Sequence, residues 1–227
     1  MSDLLSFGPG QPAHQILDPG VRMHAPSGGG AAAPSPLLIH DEFTDANGTL
    51  LMNHVIAPVN VPGNSWELAS IQLSGESNSS DIQNNQARTF VLFRGVVVDS
   101  GIADAQAEVE WTPKAGANNR NSVLVRYVSN GNMWGMNVRE PNSDINIHVI
   151  VNGSTTTRAS VVYPWAEGQT YTLRLVANGT ILECFVDGVS VLSYGQATNF
   201  LTATKHGIMQ NGGDDDTRWD NFKVSTL

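Results

Sequence analysis

An all-β sandwich of two antiparallel sheets behind an extended N-terminal arm is the architecture this sequence predicts, and three observations carry it. Short runs of alternating apolar and polar residues recur throughout residues 38–227. Asn-Gly and Asp-Gly pairs separate these runs, and such pairs accept the positive φ that a tight hairpin requires. No 3.6-residue apolar period lasts for three turns, so no layer of helices is expected against the sheets.

Residues 1–37 differ in kind from the rest of the chain. Pro9, Pro12, Pro19, Pro26, Pro34 and Pro36 block helix propagation. Between them stand small apolar clusters: Leu4, Leu5 and Phe7, then Ile16 and Leu17, then Val21 and Met23. The run Ser27-Gly28-Gly29-Gly30-Ala31-Ala32-Ala33 has the composition of a flexible joint. Such a segment cannot bury enough apolar surface to fold alone. Ordering it costs roughly 1–2 kcal/mol per residue. Fully extended it reaches about 120 Å, enough to cross a neighbouring subunit. The expectation is an anchoring arm, with those seven apolar residues as its points of contact.

The body then reads strand by strand. Residues 104–111 alternate and stop at the turn Thr112-Pro113. Residues 122–128 and 133–139 flank Ser129-Asn130-Gly131-Asn132, a hairpin signature. Residues 144–151 lead through Asn152-Gly153 into a second hairpin ending near Val162. Residues 171–176, 181–186 and 189–192, joined by Asn178-Gly179 and Asp187-Gly188, predict a three-stranded meander. Residues 205–210 and 219–224 close the chain around Asn211-Gly212-Gly213. The segment Ser74 to Gln86 is polar and reads as a loop, either a binding loop or a plain connection.

Composition narrows the function. A net charge of −9 and a pI near 4.9 supply no basic stripe for nucleic acid. No segment approaches the roughly 18 apolar residues of a membrane span. Met1-Ser2-Asp3-Leu4-Leu5 lacks the basic start of a secretory signal. The lone Cys184 alternates with Leu182 and Val186 and is expected to be buried and inert.

The order of motifs resembles a known superfamily. Phe43 to Leu50, Trp66, Ala107-Glu108-Val109-Glu110-Trp111-Thr112-Pro113 with Gly116, Val125-Arg126-Tyr127 and Asn132-Met133-Trp134 succeed one another. Gly168 to Arg174, Phe185-Val186-Asp187-Gly188, Gly207-Ile208 and Trp219-Asp220-Asn221-Phe222 complete the series. Together they resemble the concanavalin A-like lectin/glucanase superfamily, in particular the laminin-G-like jelly rolls of bacteriophage head and tail proteins and of carbohydrate-binding modules. The resemblance spans roughly residues 40–225. It implies a jelly-roll sandwich but specifies function poorly.

Glucanases of the superfamily that the chain resembles carry Glu-x-Asp-x-x-Glu on one strand, a nucleophile and an acid on one face. Here Glu108-Val109-Glu110 lacks the middle Asp and the third acid, so these side chains are expected to be solvent-facing charges on an outer strand and no catalytic residue is assigned. The six histidines are scattered, and neither a nucleophile elbow nor a zinc spacing is present. Trp165 in Tyr163-Pro164-Trp165 is the candidate for stacking on a sugar, with core packing as its alternative. Asp214 and Asp216 in an acidic run, and Asp220 near the closing strand, are the candidates for a structural calcium that the resemblance allows. No other cofactor is expected.

The resulting expectation is a non-enzymatic bacteriophage virion protein assembled in the host cytoplasm, a capsid decoration (cement) or tail-associated component. Its arm would hold a major capsid or other virion protein, it would form a homo-oligomer, and its lectin-like domain would face outward. The alternative is a carbohydrate-binding domain for attachment to host-surface glycan.

Overall fold

The computed structural model describes residues 36–56, 65–71, 80–89, 93–113, 120–139, 143–166, 168–211 and 217–227. The arm residues Leu4, Leu5, Phe7, Ile16, Leu17, Val21 and Met23 lie outside the described residues. So do Asp214 and Asp216.

Fifteen strands run in chain order among these residues. They are β1 (Leu37–Asp41), β2 (Glu67–Ser70), β3 (Ser80–Ile82), β4 (Ala87–Thr89), β5 (Arg94–Asp99), β6 (Ala105–Thr112), β7 (Arg120–Ser129), β8 (Asn132–Arg139), β9 (Asp144–Val151), β10 (Ser154–Val162), β11 (Tyr171–Asn178), β12 (Ile181–Val186), β13 (Val189–Tyr194), β14 (Lys205–Gln210) and β15 (Thr217–Ser225). The described helical structure is one 3-10 turn at Leu51–Asn53.

The strands form two antiparallel sheets. The first has the order β13-β12-β11-β6-β15-β4-β3, with β1 also paired to β15; the second has the order β10-β9-β8-β7-β14-β5-β2. The closing strand β15 therefore sits inside its sheet, with Trp219 opposite Trp111 and Val224 opposite Ala107. That placement pins the C-terminal strand as the Trp219/Phe222 pattern implies. The predicted hairpins and the three-stranded meander are all present.

Between the sheets lies one core. Val109, Trp111, Leu173, Leu175 and Phe222 enter it from the first sheet, and Val96, Val123, Trp134, Ile147 and Ile208 from the second. At roughly 25 cal/mol per Å² of apolar surface removed from water, this burial is the main favourable term in folding. Cys184 is buried in it, and burial pushes its thiol pKa up.

Two sequence expectations change here. Ser80–Ile82 within the polar segment is a buried strand paired with Ala87–Thr89, not a loop. Strand β6 is not at a sheet border: β11 and β15 flank it. Glu108 and Glu110 still face away from the core, as alternation requires.

Candidate functional site

The two sheets treat their outer faces differently. On β6 and β11, core-facing residues are buried and the residues between them are half-exposed. On β5, β9 and β14 all but one residue of each strand are buried, so that part of the second sheet is covered on both sides, while β7 and β8 are partly open and edge strand β10 has no buried residue. Away from the main core the second sheet carries a second apolar cluster, which includes Val97, Leu124, Tyr127, Met133, Ile150 and Met209.

Beside that cluster runs a polar row. Alternation with Leu124 turns Ser122 to this outer face, and alternation with Met133 and Ile150 does the same for Asn137, Asn146 and His148. Ser122 stands opposite Asn137, and Asn137 opposite Asn146. Asn211, just past the end of β14, donates from Nδ2 to Ser122 Oγ at 2.5 Å. From β14 to β9 the row crosses three inter-strand gaps, about 14 Å.

His148 is the unusual member. It is 1% exposed, and neither ring nitrogen has a hydrogen-bond partner among the described residues. Burial, and secondarily the charge of Arg139, lowers its pKa to about 4, so the imidazole is neutral. The ring lies over Gly135, its cross-strand neighbour, where a Cβ would come within 2.8 Å of Cε1. Asn137 Oδ1 and Asn211 Oδ1 are also buried without a partner among those residues. A buried polar group left unpaired costs about 1–3 kcal/mol, so this row spends stability. At the end of the row Arg139 binds Asp144 through two charge-assisted hydrogen bonds, Nε to Oδ1 at 2.7 Å and Nη2 to Oδ2.

A second polar arrangement anchors the chain after β1. The Asp41 carboxylate, 2% exposed, accepts from Phe43 N at 2.8 Å and from Trp66 Nε1 at 2.7 Å. It also meets His54 Nε2 at 2.9 Å, and His54 Nδ1 lies 3.4 Å from Asp45 Oδ2. The hydrogen bond to Asp41, followed by the charges of Asp41 and Asp45, raises the His54 pKa. His40, Glu42, Thr44 and Val55 complete a pocket of about 460 Å³ here.

Trp165 joins a cluster of rings at one end of the sandwich. Its ring centroid lies 4.4 Å from Tyr163, 5.0 Å from Tyr171 and 5.1 Å from buried Trp111, the last two in edge-to-face geometry. Nε1 donates to Asp144 O at 3.4 Å. The ring is half-buried, so packing occupies much of it and a remainder faces solvent.

Asp220 stands opposite Glu110 on the outer face of the first sheet. Burial, with Glu110, Glu42 and Asp41 nearby, raises its pKa, and Asn221 N donates to its Oδ1 at 2.7 Å. Among the described residues no three His, Cys, Asp or Glu side chains converge as a metal would need.

The sequence singled out Trp165 and the acidic positions and passed over His148, Asn137, Asn211 and Ser122. The available signal was a His and two Asn interleaved with Ile and Val in strands otherwise wholly apolar.

The arrangement of strands is shared with solved proteins. A carbohydrate-binding module from Bacillus subtilis superposes with a TM-score of 0.53 at 16% identity, over 71% of this chain and 95% of that one. Domain 4 of an extracellular arabinanase from Geobacillus stearothermophilus, solved with arabinotriose, gives 0.56 at 10% identity over 85% and 93%. The β-glucanase of Bacillus licheniformis gives 0.54 at 13% over 83% and 97%. No protein-family model and no curated protein matches the chain. The protein thus has the two-sheet jelly-roll fold of these proteins, a likeness of fold alone.

Proposed function

We propose that this domain is a lectin-like carbohydrate-binding module, with its ligand at the aromatic cluster of Trp165, whose Nε1 ties it to Asp144 of the second sheet. The observation that carries the proposal is the half-buried Trp165 ring, which packs with Tyr163 and Tyr171 and leaves apolar ring surface with polar edges facing solvent. Sugars are amphipathic in the same way: hydroxyls seek hydrogen bonds and C–H faces seek apolar contact. The fold shared with a carbohydrate-binding module and with an arabinanase domain supports the same reading. Binding without bond cleavage is favoured because Glu108 and Glu110 point outward from the other sheet, and Glu108 lies 3.8 Å from Lys223 Nζ.

The test is a glycan array probed with the full chain, its Asn137→Ala variant and its Trp165→Ala variant. The proposal expects a reproducible sugar hit that Trp165→Ala weakens and Asn137→Ala leaves unchanged. A hit lost only in Asn137→Ala moves the site to the second-sheet face, and no hit at all removes the function.

A second reading, compatible with the first, rests on the arm sequence. Its spaced apolar clusters suit attachment to a major capsid or other virion protein, with the domain displayed outward as a decoration or tail component. Several weak contacts on one tether act jointly, which suits a cementing role. Replacing Leu4, Leu5, Phe7, Ile16, Leu17, Val21 and Met23 with Ser in the full chain should abolish incorporation into particles. Undiminished incorporation sinks this reading.

A further inference from the structure

We infer that Asn178, in the turn between β11 and β12, is a self-modification site: with Gly179 it converts through a cyclic imide to aspartate and isoaspartate, ahead of every other Asn-Gly pair in the chain. The site stands whether or not a glycan binds at Trp165. Tyr171 of that cluster is at the other end of β11, about 23 Å away.

The reaction needs two unengaged groups side by side. The amide nitrogen of the glycine gives up its proton to solvent hydroxide and attacks Cγ of the asparagine side chain. A C–N bond closes a succinimide ring, the Cγ–Nδ2 bond breaks, and the nitrogen leaves as ammonia. Water then opens the ring. Cleavage at Cγ leaves aspartate, whereas cleavage at the main-chain carbonyl leaves isoaspartate, whose backbone runs through the side chain. Nothing is oxidised or reduced. Glycine favours the attack because no Cβ crowds its nitrogen, and a hydrogen bond to either reacting group must first be given up.

The chain has Asn-Gly pairs at Asn47, Asn130, Asn152, Asn178 and Asn211. Around Asn47 both groups are held: its Oδ1 accepts from Asn84 N at 2.7 Å, and Gly48 N donates to Ile82 O at 2.8 Å. Asn130 Oδ1 accepts from Tyr127 Oη at 2.8 Å, and Gly131 N donates to Ser70 O at 2.8 Å. After Asn152 the attacking nitrogen is held, Gly153 N donating to Gly131 O at 3.0 Å. Asn211 is 9% exposed, and its Nδ2 donates to Ser122 Oγ at 2.5 Å.

Asn178 differs in both groups. It is exposed, and among the described residues neither its side chain nor Gly179 N has a hydrogen-bond partner. A Cβ placed on Gly179 would meet nothing within 4 Å, so the turn has room for the ring to close. The pair Asn178–Ile181 is the last rung of the β11–β12 ladder, where local opening is easiest. The sequence itself supplies the control. Ala46-Asn47-Gly48-Thr49 and Ala177-Asn178-Gly179-Thr180 are the same tetrapeptide, so a difference between them comes from the fold.

The experiment incubates the full-length protein at physiological temperature in neutral and in mildly alkaline buffer. Samples taken over time are digested, and each Asn-Gly peptide is followed by mass spectrometry, with isoaspartate scored by enzymatic methylation of its carboxylate. Modification at Asn178 should be at least about 5-fold faster than at any of the other pairs. It should be faster in alkali, because the attacking nitrogen must lose its proton. Held unfolded in denaturant, the protein should modify Asn47 and Asn178 at similar rates. Gly179→Ala should slow the reaction at 178. Another pair reacting first in the folded protein, or equal rates at Asn47 and Asn178, overturns the inference. A lead of Asn178 over Asn47 that persists in denaturant also overturns it, since the fold would then not be the cause.

Discussion

The two sheets use strands of similar length to opposite ends. In the first, β6 and β11 alternate between a buried core residue and a half-exposed polar one. Its outer face carries Glu108, Glu110, Arg174 and Lys223, and Arg174 lies 4.2 Å above the Phe185 ring. In the second, β9 buries seven of its eight residues, Asn146 and His148 among them. The glycines divide the same way. Gly95, Gly135 and Gly207 all lie in strands of the second sheet, and a Cβ at any of them meets a neighbouring strand at once, whereas Gly188 and Gly195 beside the first sheet have open space. One sheet is a scaffold with a solvated back. The other spends stability on a packed polar row on its outer face.

The largest expected effect comes from breaking the second sheet's close approach. In Gly207→Val the new Cβ would overlap the carbonyl oxygen of Val96 and crowd the backbone of Val97, both on the paired strand β5. Backbone cannot yield as a side-chain tip can, so a loss of about 3 kcal/mol or more is expected. Gly195→Ala, next to the first sheet's β13, meets nothing within 4 Å and should change stability by less than about 0.5 kcal/mol. Denaturant unfolding of the two variants measures the gap. Equal losses would show that the sheets are not differently packed.

A smaller effect separates the sheets by pH. His148 on β9 and His206 on β14 are both buried in the second sheet, and burial lowers each pKa to about 4. Unfolded, each returns to about 6.5, so between these values the unfolded chain binds more protons. Stability is therefore full above about pH 6.5 and falls as pH drops toward 4, by on the order of 3 kcal/mol for each histidine. His54 acts in the reverse sense: its pKa is raised, so its contribution is present below about 6.5 and is lost as pH climbs through the raised value. His148→Leu should remove about one proton from the acid slope of the unfolding free energy. A slope identical to the parent's would mean that His148 is not buried neutral.

Much of this division was legible in the sequence, and the part that was not has a physical cause. Alternation in Ala107-Glu108-Val109-Glu110-Trp111 and in Tyr171 to Val176 assigns each side chain its face directly, because one side meets water. Asn130-Gly131, Asn152-Gly153 and Asp187-Gly188 announce their turns through their own conformational preferences. The three-residue strands Ser80–Ile82 and Ala87–Thr89 carry no such pattern, since they pair with each other and Ala87–Thr89 docks on β15 about 130 residues away. His148 and Asn137 occupy positions that alternation assigns to solvent. Nothing local says that this face is covered, so the row shows itself only when the strands are side by side. The Asp41–Trp66–His54 arrangement is hidden for the same reason, its members being 13 and 25 residues from Asp41.

The smallest effect is expected on the solvated back, and it also bears on catalysis. Glu108 is 29% exposed, lies 3.8 Å from Lys223 Nζ and shares its face with Glu110. A half-exposed pair at that distance contributes about 0–1 kcal/mol, because water competes for both ions and two long side chains must be held still. Glu108→Gln keeps the shape and removes the charge, so the unfolding free energy should move by less than about 0.5 kcal/mol. Glycan binding at the Trp165 cluster should be unchanged, since the variant alters none of its rings. Were the pair Glu108 and Glu110 a hydrolytic acid and nucleophile, the parent would release reducing ends from a β-glucan and the variant would not. Activity in the parent that vanishes in Glu108→Gln would place the function on the outer face of the first sheet and overturn the reading of that face as a solvated back.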